Sequence, residues 1–284
     1  MQQTWRVPLV EFANGAYVCE AKEFFVSHSQ YKQDFKVIKN IKNYHVLFVP
    51  KNVRFDSFIG LKNLFDKYPQ NMIVILEKYA SLKLFVDESF SFLHVYLYES
   101  SNLNCFFSLL GSANCKSELS ISLLGKNACA SIKGAYIVDN NKALSLKTYQ
   151  AHLAQDTSSE VVIHGIASEN ACVTYRGNIF VAQKAVRAKA LQGNKNIMLC
   201  QGVCIDAKPQ MEILNNDVQC KHGCAVGVLD ENQLFYLQAR GLDQNQAKRL
   251  MLKGLFEHVL HVLNCPKLSN EVEKKIKARL SRFL

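Results

Sequence analysis

From about Tyr44 onward the chain runs in short apolar or alternating segments, and the period is two. His45-Val46-Leu47-Phe48-Val49, Met72-Ile73-Val74-Ile75-Leu76, Leu82-Lys83-Leu84-Phe85-Val86 and His94-Val95-Tyr96-Leu97-Tyr98 set the pattern. It continues in Glu118 to Leu123, Leu144 to Thr148, Glu160 to Ile163, Gly177 to Val181 and Ala225 to Val228. Gly, Asn, Asp or Ser stands at the joints, as expected of half-buried strands, and helical periodicity is largely missing from this stretch.

So many short strands could build a sandwich, a closed barrel or a solenoid. The run is long for one sandwich, and Asn or Gly-Asn corners recur at Asn102, Asn114, Gly125-Lys126-Asn127, Asn170, Gly193-Asn194 and Asn215-Asn216. These features lean toward a solenoid. At ~20 to 25 residues per turn, about eight turns stacked at ~4.8 Å make a rod of about 40 Å.

The pattern changes at residue 230. Asp230 is placed to cap a helix, with Gln233 completing a capping box and Arg240-Gly241 ending it. A second helix is expected after Asp243, with Ala247, Leu250, Met251, Leu255, Val259 and Val262 on one face, until Cys265-Pro266 breaks it. Asn270 and Glu273 read as the capping box of a last, basic helix ending near Leu280. Near the start, Pro8 to Cys19 reads as a strand pair around Asn14-Gly15, and Tyr31 to Asn43 as a short basic helix. The expected division is therefore a small N-terminal α/β region over 1–43, a β core over 44–229 and a helical domain over 230–284.

Composition narrows the class of protein. With 284 residues, half of them apolar, the chain can fill a sizeable core. No basic-then-apolar leader opens it, and no apolar run approaches the ~20 residues that cross a bilayer. Ten cysteines spread through apolar stretches read as cytosolic free thiols, mostly small core or loop residues. The net charge of +10 sits at the two ends of the chain. A charged helical face explains it first, a protein-docking surface second, and a phosphate track third.

No phosphate-binding Gly-rich loop, zinc-protease helix or nucleophile-elbow motif is present. That counts against a nucleotide site of the chain's own and against a standard hydrolase triad. The densest group of possible ligands is Gln219-Cys220-Lys221-His222-Gly223-Cys224. On a strand, Cys220, His222 and Cys224 share one face and Lys221 takes the other. Two thiols and an imidazole suit iron–sulfur, zinc or copper chemistry. Neighbours on that face stand roughly 7 Å apart, too far to share one metal easily. Either the segment is a packed strand, or a second chain supplies the missing ligands. One of the last strands of a stacked rod presents an unpaired edge, which is where a second chain would join. Cys200 and Cys204 read as core or turn residues, His258 and His261 as a solvated helix face, and His152 and His164 as isolated structural residues. Asp206, Lys208 and Glu212 form a possible acid/base set of the kind a β-helix polysaccharide lyase or hydrolase carries, though Pro209 between them marks an edge or turn. Nucleic-acid binding by the basic tail is a third reading, and no aromatic interleaves its charges before Phe283.

An ordered series of segments from His152 to Leu242 resembles the core shared by the SufB/SufD family of iron–sulfur assembly proteins. It comprises His152 to Glu160, Tyr175-Arg176-Gly177-Asn178-Ile179, Gln192-Gly193-Asn194-Lys195-Asn196, Lys208 to Ile213, Asp217 to Gly223, and Gln233 to Leu237 with Arg240-Gly241. The resemblance implies a right-handed parallel β-helix between helical end regions and a non-enzymatic scaffold role. It also implies pairing with SufB through the β-helix and docking of the ATPase SufC on the C-terminal helices. SufB-type chains carry a sulfur-accepting Cys where Asn194 stands and an acidic residue where Gly223 stands, so both departures point to the SufD side of the family. By the same resemblance Cys220 and His222 are implied ligands of a transient iron–sulfur cluster at the SufB interface, while Cys224 falls outside the pattern.

Overall fold

A computed structural model describes residues 10–12, 14–28, 30–31, 34, 44–60, 70–87, 89–111, 114–263 and 265–282. Near the start, β1 (Val10–Glu11) and β2 (Tyr17–Glu20) pair antiparallel across a turn in which Gly15 takes positive φ, and α1 (Ala21–Ser27) follows. The basic helix expected over Tyr31 to Asn43 falls largely outside the described residues.

The rest of the β region winds as a parallel solenoid with two strands per turn. The chain alternates between β3 (His45–Val49), β4 (Arg54–Gly60), β5 (Asn71–Leu76), β6 (Ser81–Val86), β7 (Phe92–Leu97) and β8 (Asn102–Leu109). It continues through β9 (Cys115–Leu123), β10 (Cys129–Val138), β11 (Ala143–His152), β12 (Ser158–Ala167), β13 (Cys172–Val181), β14 (Ala188–Met198), β15 (Cys204–Ile213) and β16 (Val218–Gly227). Odd-numbered strands form one sheet, which β2 and β1 extend, and even-numbered strands form the other. The interior between the sheets is a single apolar stack from Leu47 through Leu84, Ile121 and Ile132 to Tyr175. Turns widen along the rod: Ser81 pairs with Asn102, 21 residues on, whereas Cys172 pairs with Cys204, 32 residues on. The upper turns are thus wider than the ~20 to 25 residues expected.

The corners repeat because the backbone does. Asn52, Tyr79, Ser100, Asn127, Asp156 and Arg187 each hold a left-handed φ, one per turn. Each N–H donates to a carbonyl of the next turn, as in Tyr79 to Glu99 O at 2.9 Å, Ser100 to Lys126 O at 2.8 Å and Asp156 to Val186 O at 2.9 Å. Asn and Asp tolerate this region best, which is why the corners are partly readable in the sequence. Of the expected corners, Asn127 and Asn170 hold such a φ, whereas Gly193-Asn194 lies in the middle of β14. Beside the first corner, a Cβ on Gly125 would lie 2.0 Å from Glu99 N, so only glycine permits this approach of backbone to backbone.

Three helices close the chain: α2 (Glu231–Ala239), α3 (Gln244–Leu260) and α4 (Pro266–Leu280). Asp230 caps α2, and Asp243 with Gln246 forms a reciprocal capping box on α3. The start of α4 differs from the expectation at Asn270 and Glu273. Pro266 occupies the first turn, where its fixed φ suits a helix and its missing N–H costs nothing, so the helix is capped at Cys265, five residues before Asn270. Leu252, Phe256, Val259 and Leu260 of α3 join Val272, Ile276 and Leu280 of α4 over the outer face of the even sheet, against Phe85, Phe106, Ala135, Ile137 and Ile166. The buried stripe of α3 is therefore rotated from the expected one, and Leu250 is left half exposed.

Two ion pairs fasten α4 to the rod. Lys275 Nζ meets Asp87 at 2.8 Å, and Arg279 meets Asp139 at 2.7 Å with both side chains buried. Arg279→Met removes one partner and leaves a buried carboxylate uncompensated. We expect a loss of about 3–5 kcal/mol, read as a lower midpoint in urea denaturation. A change below the scatter of surface substitutions would show that the pair does not hold the helix.

Candidate functional site

Among the described residues both sheets end in strands with one unpaired edge: β15 bonds only to β13, and β16 only to β14. The rows of N–H and C=O groups on their far sides form the open end of the solenoid. Apolar side chains surround this end, with Met211, Ile213, Leu214, Val226, Val228 and Phe235 all exposed. Large exposed apolar residues gathered in one place mark an interaction surface. Helix α2 buries none of its residues and stands in the same region of the chain.

The register shows where the Cys/His group lies. Cys220 stacks on Ala190 and Ser159, His222 on Gln192 and Val161, and Cys224 on Asn194 and Ile163. Every one of those lower residues is buried inside the rod. Cys220, His222 and Cys224 therefore continue three interior columns into the last turn, while Lys221 continues the exposed column of Leu191. The expected face-sharing is confirmed, and the shared face is the mouth of the solenoid. Cys220 packs beside Ile179, Val181 and Ala190. Burial raises the Cys220 thiol pKa, partly offset by a hydrogen bond with the Ala190 backbone. His222 is exposed. Among the described residues no three His, Cys, Asp or Glu side chains come together as a metal-binding group. The mouth carries two thiols and an imidazole set at the spacing of alternate strand positions.

Beneath the mouth the interior turns from apolar to polar. Gln192 Nε2 donates to Tyr175 Oη at 2.7 Å, and Tyr175 Oη shares a 2.8 Å hydrogen bond with Thr148. Tyr136 donates to Asn196, whose Nδ2 donates to Asn194 Oδ1 at 2.6 Å. The Cys224 thiol reaches the same Asn194 oxygen at 3.7 Å. Tyr136 fits because Gly165 stands opposite its ring, where a Cβ would come within 1.9 Å. Deeper still, His152 binds Thr157 and Ser159 through its two ring nitrogens, each at 2.8 Å, and Gln150 donates to Ser159 at 2.9 Å. Gln150 Oε1 and Gln192 Oε1 are buried without a hydrogen-bond partner among the described residues. This polar floor is the part of the site that sequence reasoning missed. Its signal was the row Gln192, Asn194, Asn196 at alternate positions of one strand, polar where an interior face should be apolar.

The other candidates fall elsewhere. Asp206 is held by Arg176 at 2.5 Å and by Lys208 at 3.5 Å on the outer face of β15, so its carboxylate is engaged in ion pairs. Two cations of the basic tail, Lys275 and Arg279, are likewise paired. His164, read as isolated, binds Leu255 O through Nδ1 at 2.7 Å and stacks on His258 with ring centres 5.4 Å apart. Cys200, read as a core or turn residue, lies in the bend after β14, and Cys172, Cys200 and Cys204 are all exposed.

Burial drives the His152 pKa from 6.5 down to about 4. The folded protein keeps the ring neutral, while the unfolded chain takes up a proton as pH falls through its ordinary value. Stability is therefore full above about pH 6.5 and is lost toward pH 4, by up to about 3 kcal/mol from this residue. His94, also lowered to about 4 by burial, acts in the same direction. Denaturant midpoints followed across this range should fall less steeply for His152→Gln than for the wild type. Parallel slopes would contradict the assignment.

Comparison with known proteins returns one family. The SUF system FeS cluster assembly, SufBD core domain matches residues 74–255. The iron-sulfur cluster assembly protein SufD of Escherichia coli K12 is 30% identical over 172 residues, covering 61% of this chain and 41% of that protein. A SufBD family protein of Mycobacterium leprae is 26% identical over 180 residues, 61% of this chain and 46% of the relative. SufB of Bacillus subtilis is 33% identical over 106 residues, 37% of this chain and 23% of the relative. The matched stretch thus spans less than half the length of these relatives.

Proposed function

The chain belongs to the SufB/SufD family of iron–sulfur cluster assembly proteins, and from that premise we propose that it is a SufD-like, non-enzymatic scaffold subunit. The observation that carries the proposal is the register of Cys220 and His222: two soft ligands brought by interior columns to an unpaired sheet edge. An incomplete ligand set at an open edge calls for a second chain. SufB, of the same family, can extend both sheets from β15 and β16 and add ligands of its own across the seam. The nascent cluster is the cargo of that seam. His222 and Cys220 ligate or guide iron there, and the polar floor orients the groups behind them.

The remaining regions take roles in the same reading. Residues 44–229 carry the pairing surface and residues 230–284 dock SufC, whose ATP hydrolysis supplies the work. Strands β1 and β2 and helix α1 flank the opposite end of the rod. All ten cysteines are unpaired, which suits a reducing compartment such as the cytoplasm. The lyase reading is weakened by the ion pairs on Asp206, and the nucleic-acid reading by the pairing of Lys275 and Arg279.

Co-expression with SufB and SufC, followed by anaerobic purification and absorption spectroscopy, tests both halves. A stable complex is expected. His222→Ala and Cys220→Ala should leave that complex intact and lower its cluster content by about tenfold, as loss of a metal-site group does. A chain that binds neither partner would refute the scaffold role. An intact complex with unchanged cluster content would refute the ligand role alone.

A further inference from the structure

The ten cysteines divide by their place in the fold. Cys105 and Cys19 are buried, and burial pushes both thiols up to about 12. Cys115 and Cys129 are partly buried and raised for the same reason. Cys220 and Cys224 belong to the mouth already described. Cys172, Cys200 and Cys204 are exposed.

Two of these three are direct neighbours. Cys172 opens β13, Cys204 opens β15, and the parallel ladder sets them opposite one another. Val173 is buried and Ile205 packs against the same interior, so the residue before each faces outward, and the two thiols stand side by side on the outer surface. The next member of their column is Ala143, which leaves space around them. Adjacent strands lie ~4.8 Å apart, within the ~4.4–6.8 Å separation of Cα atoms that a disulfide spans. Directly opposed residues in a parallel ladder also hold their Cβ atoms about as far apart as the strands, wider than the ~3.8 Å typical of a relaxed disulfide. A bond here is reachable but strained, hence easily reduced. Cys200 is engaged elsewhere: it accepts the Glu169 N–H at 3.1 Å and lies 3.8 Å from Ser168 Oγ.

We propose that Cys172 and Cys204 form a redox-active dithiol that exchanges reversibly with low-molecular-weight disulfides of the glutathione class. One thiolate attacks the small disulfide, forming a mixed disulfide and releasing one small thiol. The second thiolate attacks the protein-bound sulfur, closing the Cys172–Cys204 bond and releasing the other small thiol. Two protein thiols are oxidised, one disulfide is reduced to two thiols, and no other oxidant is needed. The bond clamps β15, the last strand of its sheet, to its ladder partner β13. The pair lies on the sheet opposite Cys220 and His222, so this chemistry stands apart from the cluster reading.

The test uses the full chain incubated with glutathione disulfide, alkylated and digested for mass spectrometry, with free thiols counted in parallel. The expected result is a linked Cys172–Cys204 peptide and the loss of two free thiols, both reversed by reduced glutathione. Cys172→Ser and Cys204→Ser should each abolish the link and retain one glutathione as a mixed disulfide, whereas Cys200→Ser should leave the link unchanged. No linked peptide, or a Cys200–Cys204 link in its place, would overturn the proposal.

Discussion

Each strand of a parallel solenoid is bonded to the strands one turn below and one turn above, and that ladder has no means of closing on itself. Every strand from β5 to β14 is bonded on both sides in this way. At the last turn the pattern runs out, and β15 and β16 face outward with half their donors and acceptors unpaired. An exposed, partly apolar edge is a liability for a monomer and an opportunity for an assembly. The display of Cys220 and His222 at the mouth follows from that open end.

The same ladder decides which side chains can take part in chemistry. Register carries each interior column upward one residue per turn, so whatever stands at the top of a column is displayed at the mouth. Leu103, Ala130, Ser159 and Ala190 are succeeded by Cys220, and Cys105, Ile132, Val161 and Gln192 by His222. The columns become polar one or two turns before they end. Buried amides and hydroxyls cost free energy unless paired, and nearly all of these are paired with each other. The rod thus exchanges apolar filling for a hydrogen-bonded floor just beneath Cys220, His222 and Cys224.

The two sheets have different surroundings, and their sequences differ accordingly. The outer face of the odd sheet is covered by α1, Tyr31 and Tyr44 over β3, β5 and β7, whereas farther up the rod β13 alternates cleanly between buried and less buried positions. The middle of the even sheet is covered by α3 and α4, and β10 and β12 are buried on both faces over most of their length. Packing of the helices is reinforced by the Arg279–Asp139 and Lys275–Asp87 pairs, which use cations that the bare sequence offered as a free basic tail.

Local rules were enough to place much of this protein. Period-2 patterning located most of the odd sheet, Asp230 and Asp243 marked two helix starts, and Cys220, His222 and Cys224 were assigned to one face from alternation alone. The choice of a solenoid over a sandwich came from the resemblance of an ordered motif series, because periodicity reports burial of a face and not which strand pairs with which. Strands β8, β10, β14 and β15 were not read, since covering both faces or interrupting a strand with Gly134, Gly193 or Pro209 erases the alternation, and β4 was missed where a register shift between Arg54 and Phe58 breaks it. Only the tertiary structure could show that the Cys/His face opens on the interior, that Asn194 lies beneath Cys224, and that Cys172 and Cys204 are neighbours. Those relations join residues about 30 positions apart, one turn of the rod, and a turn of variable length has no fixed period for a sequence to display.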